Sequence, residues 1–165
     1  KNDIALVKIT VGGGMEFVRI LAGYNPDLSG ANADAQIGTI KVGGDVISTN
    51  IIAGVQDNGD GFGNFNDAKL TGPGIKDTPD SLGAVSRIAK VIIKGAAIGT
   101  VSSSDGATFG IEAQSLGVIR TAGAIVPLQP GAGNDRYLSA LPLGSSRTPS
   151  GDGFDFHAFE VPVAS

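Results

Sequence analysis

The chain has 165 residues, 12 lysines and arginines against 16 aspartates and glutamates, and a formal net charge of −4. That length supports one substantial core rather than two, and dispersed cations on an acidic chain argue against nucleic acid as a partner, because phosphate binding needs concentrated positive charge. The lack of cysteine excludes disulfides and thiol chemistry, and no run of about 18 apolar residues offers a membrane span.

After Lys1 and Asn2 the chain enters a strand pattern almost at once, without the charged and apolar regions of a signal peptide, as expected of a processed or excised polypeptide. Ile9 and Val11 flank Thr10 in the period of two that places apolar side chains on one face of a strand. Gly12-Gly13 ends that strand and is expected to turn a sharp corner where φ is free to be positive. A second short strand over 17–21 follows, and Ala22-Gly23 closes it. The pattern then returns without a gap 31 residues later, so that Ile9, Val11, Gly12, Gly13, Ile20, Ala22 and Gly23 are matched by Ile40, Val42, Gly43, Gly44, Ile51, Ala53 and Gly54. A repeat of this length is one supersecondary unit that cannot bury its apolar face alone, so copies must stack and share a core.

Residues 56–85 read as an insertion. Within it, Asp57-Asn58-Gly59-Asp60-Gly61-Phe62-Gly63-Asn64-Phe65-Asn66-Asp67 is the stretch richest in chemistry. Hard cations take several oxygen ligands from short side chains on a glycine-rich loop, so Asp57, Asp60, Asn64 and Asp67 are candidate calcium ligands. The spacing is not that of an EF-hand. Gly151-Asp152-Gly153-Phe154, with Asp155 beyond, repeats the local chemistry near the C-terminus, and Asx-type turns account for both loops without any metal.

Two weaker echoes follow, over 88–98 and 116–126, with Gly44, Gly95 and Gly123 in register; successive copies begin 31, 51 and 28 residues apart. Lys94 and Ala122 replace the first glycine of the doublet there. A helical spacing of Leu82, Val85 and Ala89 after a Ser81 cap competes over 80–94, but Gly83 and the β-branched run Val91-Ile92-Ile93 favour strand. Thirteen of the sixteen acids are aspartate, which suits turns better than helices. Lys8, Lys41, Lys90 and Arg120 fall close to the repeated strand, as solvated outward charges or, alternatively, as a basic ladder. From residue 129 on, Pro130, Pro142, Pro149 and Pro162 with Gly131, Gly133, Gly144, Gly151 and Gly153 indicate loops, and Tyr137, Leu138, Leu141 and Leu143 are apolar enough to close the core at that end. His157, the single histidine, lies in a stretch that reads as a terminal strand; no nucleophile and orienting acid accompany it at recognisable spacing, so it reads as a strand-surface residue rather than a catalytic one.

The units at 37–46 and 86–95, the linker Phe109-Gly-Ile-Glu-Ala-Gln-Ser-Leu-Gly117 and the ending Val126-Pro-Leu-Gln-Pro-Gly-Ala-Gly-Asn-Asp135 resemble repeats of large secreted bacterial cell-surface proteins of adhesin-like type. The resemblance implies a right-handed β-helix in a bacterial surface or matrix setting and transfers no catalytic residue.

The expected fold is therefore all-β: a right-handed parallel β-helix, or β-solenoid, of about four irregular coils with long loop insertions. Repeat units are expected near 4–24, 35–55, 86–101 and 111–128 in one domain spanning 1–165, with the insertion at 56–85 and a C-terminal cap at 129–165. Gly12, Gly13, Gly43, Gly44, Gly95 and Gly123 are its structural glycines. A β-sandwich is the alternative. The expected function is a non-enzymatic, extracellular or cell-surface structural module, a spacer or a filament or lattice subunit that stacks end to end on itself or on adjacent repeat domains. The alternative is a calcium-dependent module that binds surface polysaccharide or resembles polysaccharide lyases.

Overall fold

A computed structural model describes residues 3–64, 66–78, 85–99, 107–135, 138–139 and 155–163. All regular structure among them is β. The strands are β1 (Ile4–Val11), β2 (Met15–Glu16), β3 (Arg19–Ala22), β4 (Gln36–Val42), β5 (Val46–Ile47), β6 (Asn50–Ala53), β7 (Val55–Gln56) and β8 (Ala68–Lys69). They continue as β9 (Arg87–Ile93), β10 (Ala97–Ile98), β11 (Phe109–Ala113), β12 (Ser115–Thr121), β13 (Ala124–Ile125), β14 (Leu138–Ser139) and β15 (Phe156–Glu160).

These strands divide among four sheets. The first has the order β1-β4-β9-β12-β13, the second β10-β5-β2, the third β14-β15-β11-β6-β3, and the fourth is the pair β7-β8. Pairing is parallel through the first four strands of the first sheet, throughout the second, and from β15 to β3 in the third. It is antiparallel at β12–β13, β14–β15 and β7–β8.

This corrects the expected fold. The strands lie in several small, separate sheets of mixed direction, and not in a single right-handed solenoid of four coils. Two features break it up. The glycine corners leave strands of only two residues between the long ones, and the chain reverses at Ala122 and Gly123, whose φ values of 47° and 82° turn β12 back onto β13. Layered sheets over a shared core, the alternative expectation, are compatible with this arrangement, because inward side chains from both five-stranded sheets meet in one apolar cluster.

The repeat sets the pairing locally. Ile9 faces Ile40, Val11 faces Val42, Ile20 faces Ile51 and Ala22 faces Ala53. Ile37, Ile40, Ile88, Val91 and Ile119 of the first sheet meet Ile51, Ile111 and Phe156 of the third in that cluster, all of them buried. Each such side chain contributes about 1.5–3 kcal/mol of hydrophobic stabilisation. Residues 87–93 are strand, so the helical alternative fails over its second half; Ser81, Leu82 and Gly83 lie outside the described residues. The expected insertion carries the β7–β8 ribbon. Pro142, Pro149, Tyr137, Leu141, Leu143 and the 151–154 motif also lie outside the described residues.

The four cations near the repeated strand do not stack in one column. Lys8 pairs with Thr39, which pairs with Lys90, whereas Thr10 pairs with Lys41, which pairs with Ile92 and through it Arg120. The two neighbouring rows interleave charge with threonine and aliphatic side chains, so the basic ladder is not formed.

Candidate functional site

The glycine corners are set by close approach more than by torsion. None of Gly12, Gly13, Gly43, Gly44 or Gly95 has a positive φ, contrary to the expected corner geometry; Phe17 and Ser48, at equivalent positions one corner later, do, at 55° and 45°. A Cβ on Gly43 would sit 2.1 Å from the Gly12 carbonyl oxygen, and one on Gly95 would sit 2.1 Å from Asp45 Oδ1. Gly44 is crowded in the same way, 2.9 Å from Gly14 N, while Gly12 and Gly13 face open space. Gly123 also faces open space and is demanded by its positive φ alone.

The aspartate-rich loop does gather its predicted residues, but it turns their oxygens inward. Asp57 Oδ1 accepts from the backbone N–H groups of Gly59, Asp60 and Gly61 at 2.6, 3.0 and 2.9 Å. Asp67 Oδ2 accepts from those of Gly63 and Asn64 at 2.9 and 3.1 Å. Asp60 accepts from the amides of Asn64 and Asn66 at 3.0 and 2.9 Å. This is the Asx-turn arrangement, and no cluster of three or more His, Cys, Asp or Glu side chains suited to a metal occurs among the described residues.

Asp67 instead reaches a residue that sequence reasoning missed. Glu112 on β11 stands in register with Ile52 and Phe159 and is fully buried. Among the described residues, neither of its carboxyl oxygens, nor Asp67 Oδ1, finds a hydrogen-bond partner of the ordinary kind. Burial pushes the Glu112 carboxyl well above the usual range, with the facing Asp67 carboxyl adding to the effect; burial likewise pushes Asp67 up to about 6. Two carboxylates in one dry pocket cannot both ionise cheaply, and a proton held between them supplies the missing hydrogen bond. The signal was present in sequence: a lone glutamate inside the apolar strand Phe109-Gly-Ile-Glu-Ala113.

His157 closes the same corner. It is buried on β15, not on a strand surface as expected, and its Nδ1 lies 2.7 Å from the Gly63 carbonyl. A carbonyl only accepts, so Nδ1 carries the proton. Asp67, Glu112 and His157 thus pin the insertion to the third sheet. Glu160, also buried, does the same for the C-terminal segment, accepting from Leu116 N at 2.6 Å and from the N–H groups of Asn134 and Asp135 at 3.0 and 3.2 Å. With their side chains sealed from solvent, these acids act as anchors of the fold.

Open surface with binding capacity lies elsewhere. β1, β2 and β3, all within residues 4–22, are each the outermost strand of a sheet. At the far side, the first and third sheets end instead in the antiparallel strands β13 and β14. Of the seven exposed large apolar side chains among the described residues, Ile4, Val7, Phe17 and Leu28 lie on or beside the open strands, at 43, 75, 80 and 59 % exposed; the others are Val118, Ile125 and Val163. An open groove of about 440 Å³ runs beside β3. Arg19 and Leu21 line it from the outer face of that strand, while Ile20 and Ala22 point into the core.

No protein-family model matches the chain, and no curated protein or solved structure matches it either.

Proposed function

We propose that the protein is a non-enzymatic structural interaction module of a bacterial extracellular or cell-surface protein, docking through the strands of residues 4–22 onto a second copy of itself. One observation carries this reading: three sheets end on the same short segment, each with a backbone edge that pairs with no further strand among the described residues. A row of free N–H and C=O groups recruits another strand unless charge, proline or a bulge deters it. On β1 the deterrents are slight. Lys8 is its one charged residue and a register shift lies between Ile4 and Leu6, while Val7 stands exposed among them. The setting follows the likeness to surface-protein repeats and is a proposal with it.

Light scattering coupled to size-exclusion chromatography over a wide concentration range tests this. Association that grows with concentration, is abolished by Val7→Lys and survives Val118→Lys supports edge docking. A strictly monomeric chain at the highest concentration overturns it.

A further inference from the structure

Beyond self-association, the groove beside β3 has the form of a second strand-binding site. The outer face of the third sheet carries an apolar row in which Leu21, Ile52, Glu112 and Phe159 stand in lateral register. The insertion covers most of that row: Ile52, Phe159 and Phe62 pack in one buried cluster. The cover stops at β3. There Leu21 is only partly buried, and the groove stays open between the insertion and the segment that carries Tyr24 and Leu28. A second recess shares Arg19, Leu21, Tyr24 and Leu28 with the first, so the two adjoin beside β3.

We propose that this groove binds an extended polypeptide segment by strand addition to β3, and that the segment carries an acidic residue opposite Arg19 and a large apolar residue two positions away, opposite Leu21. Strand addition takes affinity from backbone hydrogen bonds and specificity from pockets for alternate side chains. β3 supplies both parts, an edge unpaired among the described residues and an outward pair of side chains spaced by two. Arg19 is exposed and makes no ion pair among the described residues, which leaves a planar cation shaped for a carboxylate. The lining favours a peptide over a sugar. Leu21, Leu28, Leu70 and Ile75 share it with the polar Arg19, Gln56, Asp57 and Thr71; Asp57 Oδ1 is taken up by the backbone N–H groups of Gly59, Asp60 and Gly61, and Tyr24, the ring a sugar would stack on, is already engaged, edge-on to Phe62 at 6.5 Å and donating its hydroxyl to Val55 O at 2.5 Å. The inference rests on the reading of the 4–22 strands as docking edges, but it concerns β3 rather than β1.

Fluorescence anisotropy of the whole chain with three labelled eight-residue peptides tests it. One has alternating polarity with Glu two residues before Leu, the second has Lys in place of that Glu, and the third is the Glu peptide N-methylated at alternate amides. Binding of the Glu peptide should weaken at least tenfold in the Lys peptide and be lost on N-methylation. Arg19→Glu, at an exposed position, should invert the preference between the first two. Equal binding of both charges, indifference to N-methylation, or competition by an acidic oligosaccharide that leaves no peptide binding would overturn the proposal. Using Val7→Lys protein keeps the two readings separable, because it removes β1 docking and leaves β3 unaltered.

Discussion

Gly12 and Gly43 hold the same place in consecutive repeats, yet only Gly43 is sterically required. Gly43 lies against the carbonyl of Gly12, whereas Gly12 sits on the open side with nothing within 4 Å of its would-be Cβ. Gly12→Ala should therefore change stability by no more than about 0.5 kcal/mol, while Gly43→Ala forces backbone apart and should cost roughly 2 kcal/mol or more. Urea midpoints of the two variants check this, and equal losses would mean that torsion, not stacking, selects the doublet. The doublet itself was legible in the sequence; its cause was not, because the cause is a neighbouring copy. Glu112 teaches the same lesson. Its anomaly is visible in a single strand, but Asp67, 45 residues earlier, is brought to it only by the fold. A carboxyl whose folded-state pKa is raised stabilises the fold while it is protonated. That contribution is complete below the ordinary value of 3.8 and is lost as pH rises through about 6 for Asp67; Glu112, its carboxyl likewise raised by burial, acts in the same direction. Thermal midpoints should thus fall as pH rises from about 4 to 6, by about 2–4 °C for each kcal/mol lost in a chain of this size. Glu112→Gln, which donates to Asp67 at any pH, should flatten the profile. An unchanged slope in that variant would dismiss the shared proton.

Among elements, the long strands were the readable ones. The 31-residue echo gives the lateral partners of β1 and β4 and of β3 and β6 directly, since identical apolar residues meet across each pair. The division into separate sheets was hidden, because β2, β5 and β10 have two residues each, too few to carry a period. The antiparallel returns at β13 and β14 were hidden too, resting on left-handed torsions and on pairing across distant segments. Between β2 and β3 the corner stores strain: Phe17 is 80 % exposed and held at φ 55°, a conformation costly for a bulky side chain. Strain kept at an exposed aromatic on the side proposed to dock fits a contact residue better than a packing one. Phe17→Asn, which tolerates this region, should raise stability by about 0.5–1 kcal/mol and at the same time weaken self-association. A gain in stability with association intact would free Phe17 of any role at the interface.

At the scale of the whole molecule the two sides of the sheets differ, and the difference predicts where protection from exchange should appear. β4 and β9 lie between neighbours in the first sheet, with buried inward faces, whereas β1 has one neighbour and shows three of its first four residues to solvent. Amides of an interior strand open only with the global transition, while those of a lone edge exchange through local fraying. In dilute solution, hydrogen exchange followed by NMR should therefore find β1 fast and β4 and β9 slow. If β1, β2 and β3 dock a second copy as proposed, raising the protein concentration into the associated range should slow all three and leave β13 unchanged. In Val7→Lys the concentration effect should vanish while β4 and β9 keep their protection, showing that the fold is intact. Protection that rises instead at β13, or equally over every strand, would place the contact on the other side of the molecule, and the three unpaired edges would then be a property of the fold without a partner to complete them.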